Sequence, residues 1–426
     1  MRRLILLLFS SLTVIASVAQ PTLNECHRLA RENYPEIKQY DLISKTESYS
    51  LSNAARAWIP QIGFAAQATW QTDVPTLPDV LTGMLGQQGV KIPGMEKDQY
   101  KVALELNQNI WDGGKSKADR AIARSEAEEQ RAATDVNLYA LEERVNNIYF
   151  GILLFDERIE QMNLTKELLQ SNLEKVRSLC QNGIATQSDV NVIEAEVLTI
   201  GQQIVRLETS RNSFRRVLEI LIGQPIGEAK LQRPSVTYPT VLESARPELA
   251  LFDAKINSLK AQEQLVKSST RPRFNLFAQG YYGYPGMDMF EGMLNNDWSW
   301  NALVGVKVSW NIGAFYTKKN NLNKLRTAQQ QIDVQRDIFL FNTSLQTTEN
   351  SGEIESLKRA LADDEKIVQL RRSVREAAES KLENGIIDTN DLLRKITEEA
   401  QASTARSARE IELLMAIYEL KHTVNQ

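Results

Sequence analysis

The sequence predicts a mainly α-helical chain that carries a membrane β-barrel, built from a duplicated unit of helix, strand, strand, long helix and helix. Three observations predict it. An internal repeat preserves the order of its motifs across the chain. Heptad spacing of apolar residues runs far beyond the length of a globular helix. Four short stretches with a period of two are tipped by all six tryptophans.

The chain opens with Arg2 and Arg3, an apolar run from Leu4 to Val18, and the small-residue site Ser17-Val18-Ala19, the pattern of a secretory signal over residues 1–19. The run is about 15 residues long and is broken by Ser10, Ser11 and Thr13, which is short for a spanning helix. Cys26 follows Leu23-Asn24-Glu25, without the small residues of a lipoprotein cleavage site, so no lipid anchor is expected.

The first structural repeat is placed at residues 20–234 and the second at 235–426. Tyr34-Pro35-Glu36-Ile37 returns as Arg246-Pro247-Glu248-Leu249, and Trp58-Ile59-Pro60-Gln61-Ile62 as Thr270-Arg271-Pro272-Arg273-Phe274, both at an offset of 212. Ile110-Trp111-Asp112-Gly113-Gly114 answers to Ser309-Trp310-Asn311-Ile312-Gly313. Gln181-Asn182-Gly183-Ile184-Ala185-Thr186 answers to Glu383-Asn384-Gly385-Ile386-Ile387-Asp388. The offset drops to about 200 there, because the loop between the paired strands is shorter in the second half.

Strands are predicted over about 61–73, 100–111, 273–284 and 299–311. In the first, Ile62, Phe64, Ala66, Ala68 and Trp70 alternate with Gly63, Ala65, Gln67 and Thr69; in the second, Val102, Leu104, Leu106 and Ile110 oppose Glu105, Asn107 and Asn109. Phe274, Leu276, Ala278 and Tyr282 then oppose Asn275 and Gln279, and Val304, Val306 and Val308 oppose Lys307. Such lengths cross a bilayer with tilt. Trp58, Trp111 and Trp310 mark the helix side, Trp70, Trp298 and Trp300 the loop side, as two membrane-interface girdles would. The intervening residues 74–99 and 285–298, rich in Pro, Gly, Met and Asp, are expected to be surface loops. Four strands cannot close, and an open edge in lipid leaves unpaired N–H and C=O groups at several kcal/mol each. Three copies would give a trimeric barrel of twelve strands, an even number of the known kind.

Long helices are predicted over about 113–181, 187–222, 313–383 and 388–421. From Gly114 to Gln181 there is no Pro and one Gly, Gly151. Leu138, Leu141, Val145, Ile148, Ile152, Phe155, Ile159 and Met162 alternate spacings of three and four, and the register resumes at Leu169, Leu173, Val176 and Cys180. After Asn182-Gly183 it continues through Val190, Ile193, Val197, Ile200, Ile204 and Leu207 to Leu218 and Leu221. At 1.5 Å per residue the first long helix would be roughly 100 Å, a coiled-coil tunnel crossing a compartment and not part of a compact core.

Composition narrows the function classes. A mean hydropathy of −0.35 and no later long apolar run leave no spanning helix, while strands that alternate two faces escape that test. A net charge of −4, from 50 basic and 54 acidic residues, gives no footprint for nucleic acid. The two cysteines, Cys26 and Cys180, are expected as free buried thiols.

At this point the residues resemble the TolC-type outer-membrane efflux protein family. The resemblance rests on the opening Leu23-Asn24-Glu25-Cys26 to Asn33-Tyr34-Pro35-Glu36 helix, Pro60 and Pro272 at the helix-to-strand swaps, Trp111-Asp112-Gly113-Gly114, and Gly183-Ile184-Ala185-Thr186 to Asp189-Val190, all in order and duplicated. It implies a homotrimer in the outer membrane of a Gram-negative bacterium, with helices reaching into the periplasm. It also implies two partners, a periplasmic adaptor (membrane fusion) protein and an inner-membrane transporter of RND or ABC type. Such a channel catalyses no reaction and needs no cofactor or metal; it offers a wet lumen, lined by Gln67, Glu105, Asn107, Asn275, Gln279 and Lys307. The tip turns, with Asn182, Gly183, Ile184, Asn384, Gly385 and Ile386, would meet the adaptor. The family implies a periplasmic gate at Asp391, with Asp189 its first-repeat counterpart, and a ring of Asp391 would favour cations and titrate above the usual carboxylate range. Leu382, Ile387 and Arg394 depart from the family's latch pattern. The gate is expected to be held by apolar packing or by Asp391 with Arg394, and Asp189 and Asp391 can equally cap the helices that follow.

Other signals fall away. Gly114-Lys115-Ser116 resembles the tail of a phosphate-binding loop, but the Gly needed five residues earlier is Asn109. His27 and His422 are the only histidines and no Cys pair has metal spacing. Cys26 and His27 are helix neighbours that point apart. Two rival functions are weighed: the outer-membrane component of a type I protein secretion system, and a periplasmic coiled-coil adaptor or scaffold, which would lack tryptophan-flanked amphipathic strands.

Overall fold

The computed structural model describes residues 21–89, 92, 94–227, 230–239 and 243–425. The predicted signal segment lies outside them. Two compact units emerge, and each draws on both halves of the sequence: one comprises residues 40–132 and 250–335, the other the residues up to 39 with 133–249 and 336–426.

The first unit holds an antiparallel sheet of β1 (Gln61–Trp70), β2 (Asp98–Trp111), β3 (Arg273–Tyr284) and β4 (Ser299–Ser309), in that spatial order. Register makes the period of two into two faces. Ile62 stands opposite Leu106, Leu106 opposite Ala278, and Ala278 opposite Val304; one step along, Phe64, Leu104, Gly280 and Ala302 form the next row. Sheet order leaves β1 and β4 as edges, and the sheet is not closed.

The residues expected as plain loops contain two short helices, α3 (Asp79–Gln87) and α7 (Met289–Leu294). The second forms because Asp288 caps it, accepting the Phe290 and Glu291 amides at 3.0 and 3.1 Å. Tyr284 fastens the two connections together: its hydroxyl accepts the Glu96 amide at 2.7 Å and lies 3.0 Å from Asn296 Oδ1.

Four long helices follow the strands: α4 (Lys115–Gln181), α5 (Gln187–Ile222), α8 (Ala314–Glu383) and α9 (Thr389–Val424). Shorter helices α1 (Leu23–Asn33), α2 (Gln39–Arg56) and α6 (Pro247–Ser268) precede the strands. None of the described helices is long and apolar enough to cross a membrane. Asp112 starts α4: its carboxylate accepts the Gly114 amide at 2.9 Å and the Ser116 amide at 2.7 Å, and the Ser116 hydroxyl as well. Gly113 turns the chain at φ 72°, where a Cβ would stand 3.0 Å from Arg271 Cβ and 3.2 Å from the Pro272 carbonyl. The second repeat opens its long helix differently, on Asn311, whose Oδ1 accepts the Ala314 amide at 3.2 Å.

In the second unit the heptad seam is buried. Leu141, Val145, Ile148 and Ile152 of α4 pack with Leu23, Cys26 and Ala30 of α1, with Leu218 and Leu221 of α5 and with Ile411 of α9. A second cluster joins Ile159, Leu169, Leu173 and Val176 to Val190, Ile193 and Ile200, and to Leu382, Leu392 and Ile396. Cys26 is fully buried, and burial, aided by the charge of Glu25, pushes its thiol up to about 12. Cys180 is a free thiol too, but only half-buried, because it lies one residue from the end of α4.

Candidate functional site

Two features hold the residues expected from the sequence to be functional: the sheet faces and the two turns that join the long helices. On the sheet, Ile62, Phe64, Leu104, Val304, Val306 and Val308 are exposed along one face, Val304 at 69%. Exposed aliphatic rows of this kind are stable only against another apolar phase. The opposite face is polar and cross-linked. Lys101 Nζ donates to Gln279 Oε1 at 2.9 Å, Gln279 Nε2 donates to Glu105 Oε1 at 2.6 Å, and the Lys101 ammonium sits 4.4 Å from the centre of the Tyr281 ring. Gln67, Asn107, Asn275 and Lys307 share that face by register. Lys101 escaped sequence reading, although it alternates correctly with Val102.

All six tryptophans are more than a third exposed and lie at strand ends. Trp58, Trp111 and Trp310 are at the end where α2 and α6 arrive; Trp70, Trp298 and Trp300 are at the other. Trp298 stacks on Tyr100 at 5.9 Å and Tyr282 lies 5.0 Å from Trp300, so the second group includes tyrosines. Pro60 directly precedes β1 and Pro272 directly precedes β3, where α2 and α6 give way to strand.

The two tip turns have the same hydrogen bonds. Gly183 and Gly385 take left-handed φ of 74° and 67°; their amides reach the Cys180 and Leu382 carbonyls at 3.0 and 2.9 Å. Ile184 and Ile386 donate to Leu179 and Lys381, both at 2.9 Å, and both side chains point into solvent, 63% and 68% exposed. An exposed isoleucine at the apex of each turn, beside Asn182 and Asn384, is a small apolar contact point.

The helices after the turns are capped by Thr186 and Asp388, and Asp189 and Asp391 stand three residues further on. Asp189 completes a reciprocal box. Its carboxylate accepts the Thr186 amide at 2.8 Å and the Thr186 hydroxyl at 2.6 Å, and the buried Thr389 at the start of α9 lies near enough to act on it. These bonds, the Thr186 hydroxyl first, hold Asp189 below the usual carboxylate range. Asp391 instead gives its amide to Asp388 and pairs its carboxylate with Arg394 at 2.9 Å, both exposed and within the first two turns of one helix. Leu382 is buried in the second core cluster and Ile387 packs against it. Thr186 and Thr389 were missed, though Thr186-Gln187-Ser188-Asp189 has the capping-box spacing that marks the first of them.

Further polar ties run between α4, α8 and α9. Arg375 bridges Glu379 at 3.0 Å and Glu399 at 2.7 Å, Asn172 reaches Glu379 at 3.3 Å, and Lys175 pairs with Glu383 at 3.1 Å.

Residues 27–224 match the family described as outer membrane efflux protein. No curated protein sequence matches the chain. Among solved structures it is similar to the outer membrane protein VceC of Vibrio cholerae, at 16% identity and a TM-score of 0.69, covering 94% of this chain and 95% of that one. It is similar to the open-state MtrE outer membrane channel of Neisseria gonorrhoeae, at 15% identity and 0.66, covering 95% and 89%. A third likeness is the CmeC outer membrane channel of Campylobacter jejuni, at 14% identity and 0.65, covering 94% and 85%. Residues 27–224 thus match the outer membrane efflux protein family in sequence, and over nearly its whole length the chain is similar in fold to these outer-membrane channels.

Proposed function

We propose that the protein is the outer-membrane exit duct of a tripartite efflux pump: a homotrimer that passes small molecules across the outer membrane, driven by an inner-membrane transporter through a periplasmic adaptor. One observation carries this reading, a sheet with an apolar face, a cross-linked polar face and two unpaired edges. In lipid those edges need partners, and three copies supply them by closing twelve strands. The apolar rows then face lipid between the tryptophan ends. Lys101, Glu105, Gln279 and Lys307 line water. Long helices with buried seams supply the helical part of the duct, and Ile184 and Ile386 offer the adaptor its contact. Traffic is passive, because the wall supplies a polar path and the partner supplies the energy.

The experiment is fractionation with gel migration. The protein should sediment with outer membranes and run as a compact oligomer that heating converts to monomer; recovery in the soluble periplasm would remove the channel reading. Deleting the neighbouring transporter genes one at a time, with drug sensitivity and protein secretion both scored, separates the pump from a type I exporter.

A further inference from the structure

The chain's only two histidines, 395 positions apart, line one polar cavity of about 310 Å³ in the second unit, between α1, α4, α9 and residues 235–237. The imidazole of His27 on α1 lies 2.7 Å, Nε2 to Oδ1, from Asn146 on α4. His422 on α9 places its Nε2 3.2 Å from the Tyr139 carbonyl and stacks flat on the Tyr139 ring at 4.2 Å, while the Tyr139 hydroxyl donates back to the His422 carbonyl. A carbonyl only accepts, so His422 carries its proton on Nε2 and Nδ1 is its vacant base. Beside the apolar packing of Leu23, Cys26, Ala30 and Ile411, two neutral imidazoles thus supply polar contacts that seat α1 and the end of α9 on α4.

We propose that this cavity is an acid-sensitive joint, at which protonation of His27 and His422 loosens α1 and the C-terminal end of α9 from α4.

The charge pattern around the cavity supports it. Cationic groups already face the pair: Lys421 lines the cavity and Arg246 acts on His422. Among the described residues Glu142 is the only side-chain carboxyl lining the cavity, and Arg31 lies within its field. Glu143 and Glu248 favour the charged form of His422, but Glu248 is already engaged by Arg246. His27 has no carboxylate acting on it; only Asn146 favours its charged form, while burial and His422 oppose it. Burial therefore holds both histidines below their ordinary value and raises Glu142 above its own, so the three titrations approach one another. Acidification adds two positive charges as it removes the one negative charge of the lining. The sign follows: a histidine whose folded value is lowered favours folding above its ordinary value, and that contribution is lost as pH falls towards the folded one.

The test is hydrogen exchange by mass spectrometry on the full-length protein in detergent, corrected for intrinsic exchange, at about pH 7.5 and about pH 5.5. In the wild type, opening of peptides from α1 and from residues 415–425 should rise about tenfold on acidification, because about pH 5.5 lies one unit below the ordinary histidine value at which the opened state takes up its protons. His27→Gln/His422→Gln keeps a donor for Asn146 and Tyr139 but cannot charge, and its opening should not rise on acidification. Equal protection of the wild type at both pH values, or equal acid opening in the double variant, would overturn the proposal. Each single variant should show a reduced response, and these decide the matter if the double variant does not fold. The measurement is independent of transport, so it holds or fails apart from the channel reading.

Discussion

Asp189 closes its own turn through Thr186, and Thr389, about 200 residues further on, acts on it from the other turn. Asp189→Ala should cost about 1 kcal/mol, read as a lower urea midpoint, because the amide and hydroxyl it serves lose an acceptor. Its folded pKa is lowered, so this contribution is present above the ordinary aspartate range and fades as pH falls below about 4; the wild type and variant midpoints should converge there. Gly113→Ala should destabilise by more than about 1 kcal/mol, since a Cβ meets Arg271 and Pro272 and the residue holds φ 72°. Asp391 is paired only within its own helix, so its influence is electrostatic and local. Single-channel conductance of Asp391→Ala should rise or change shape, and an unchanged trace removes Asp391 from the gate. What was legible here was the position of the turns, through Asn-Gly-Ile in both repeats. The partner of Asp189 was not, because Thr389 is brought to it only by the packing of α5 against α9.

Among the elements, α4 shows why one glycine interrupts a long helix. A Cβ on Gly151 would lie 2.6 Å from the Phe214 ring, which meets Phe155 edge-on at 5.3 Å. Helix propensity favours Ala over Gly by about 1 kcal/mol, and displacing the aromatic pair costs about the same. Gly151→Ala should therefore be near neutral alone and stabilising by about 1 kcal/mol in a Phe214→Ala background, a coupling that urea unfolding of the four proteins measures. On the sheet, Val304→Arg should lower the yield of heat-modifiable oligomer through a cost of about 2–4 kcal/mol on a lipid face, while Asn107→Arg on the polar face leaves it unchanged. The heptad seam made the long helices readable, since Val145, Ile152 and Val176 repeat the 3,4 spacing and all are buried. The helices α3 and α7 were hidden by their short length and Gly and Met content, which carry no period.

For the whole molecule, the mainly α fold with an amphipathic sheet was legible because duplication shows every motif twice. The two compact units were not. Each takes segments from both repeats, and no periodicity in a linear sequence marks which segments will share a core. The histidine cavity was invisible for the same reason, its two imidazoles lying at opposite ends of the chain.

The open edges of β1 and β4 carry a kinetic consequence. If closure needs three copies, no single chain can bury its own edge hydrogen-bonding groups, so the rate of reaching the membrane-competent state rises with the concentration of chains and not only with the folding rate of each. At low expression the sheet spends longest with its apolar rows and edges in water, where strand addition by other chains competes. Slow synthesis is thus the condition under which each chain waits longest with β1 and β4 uncovered, and a factor that shields those edges would be needed for longest there.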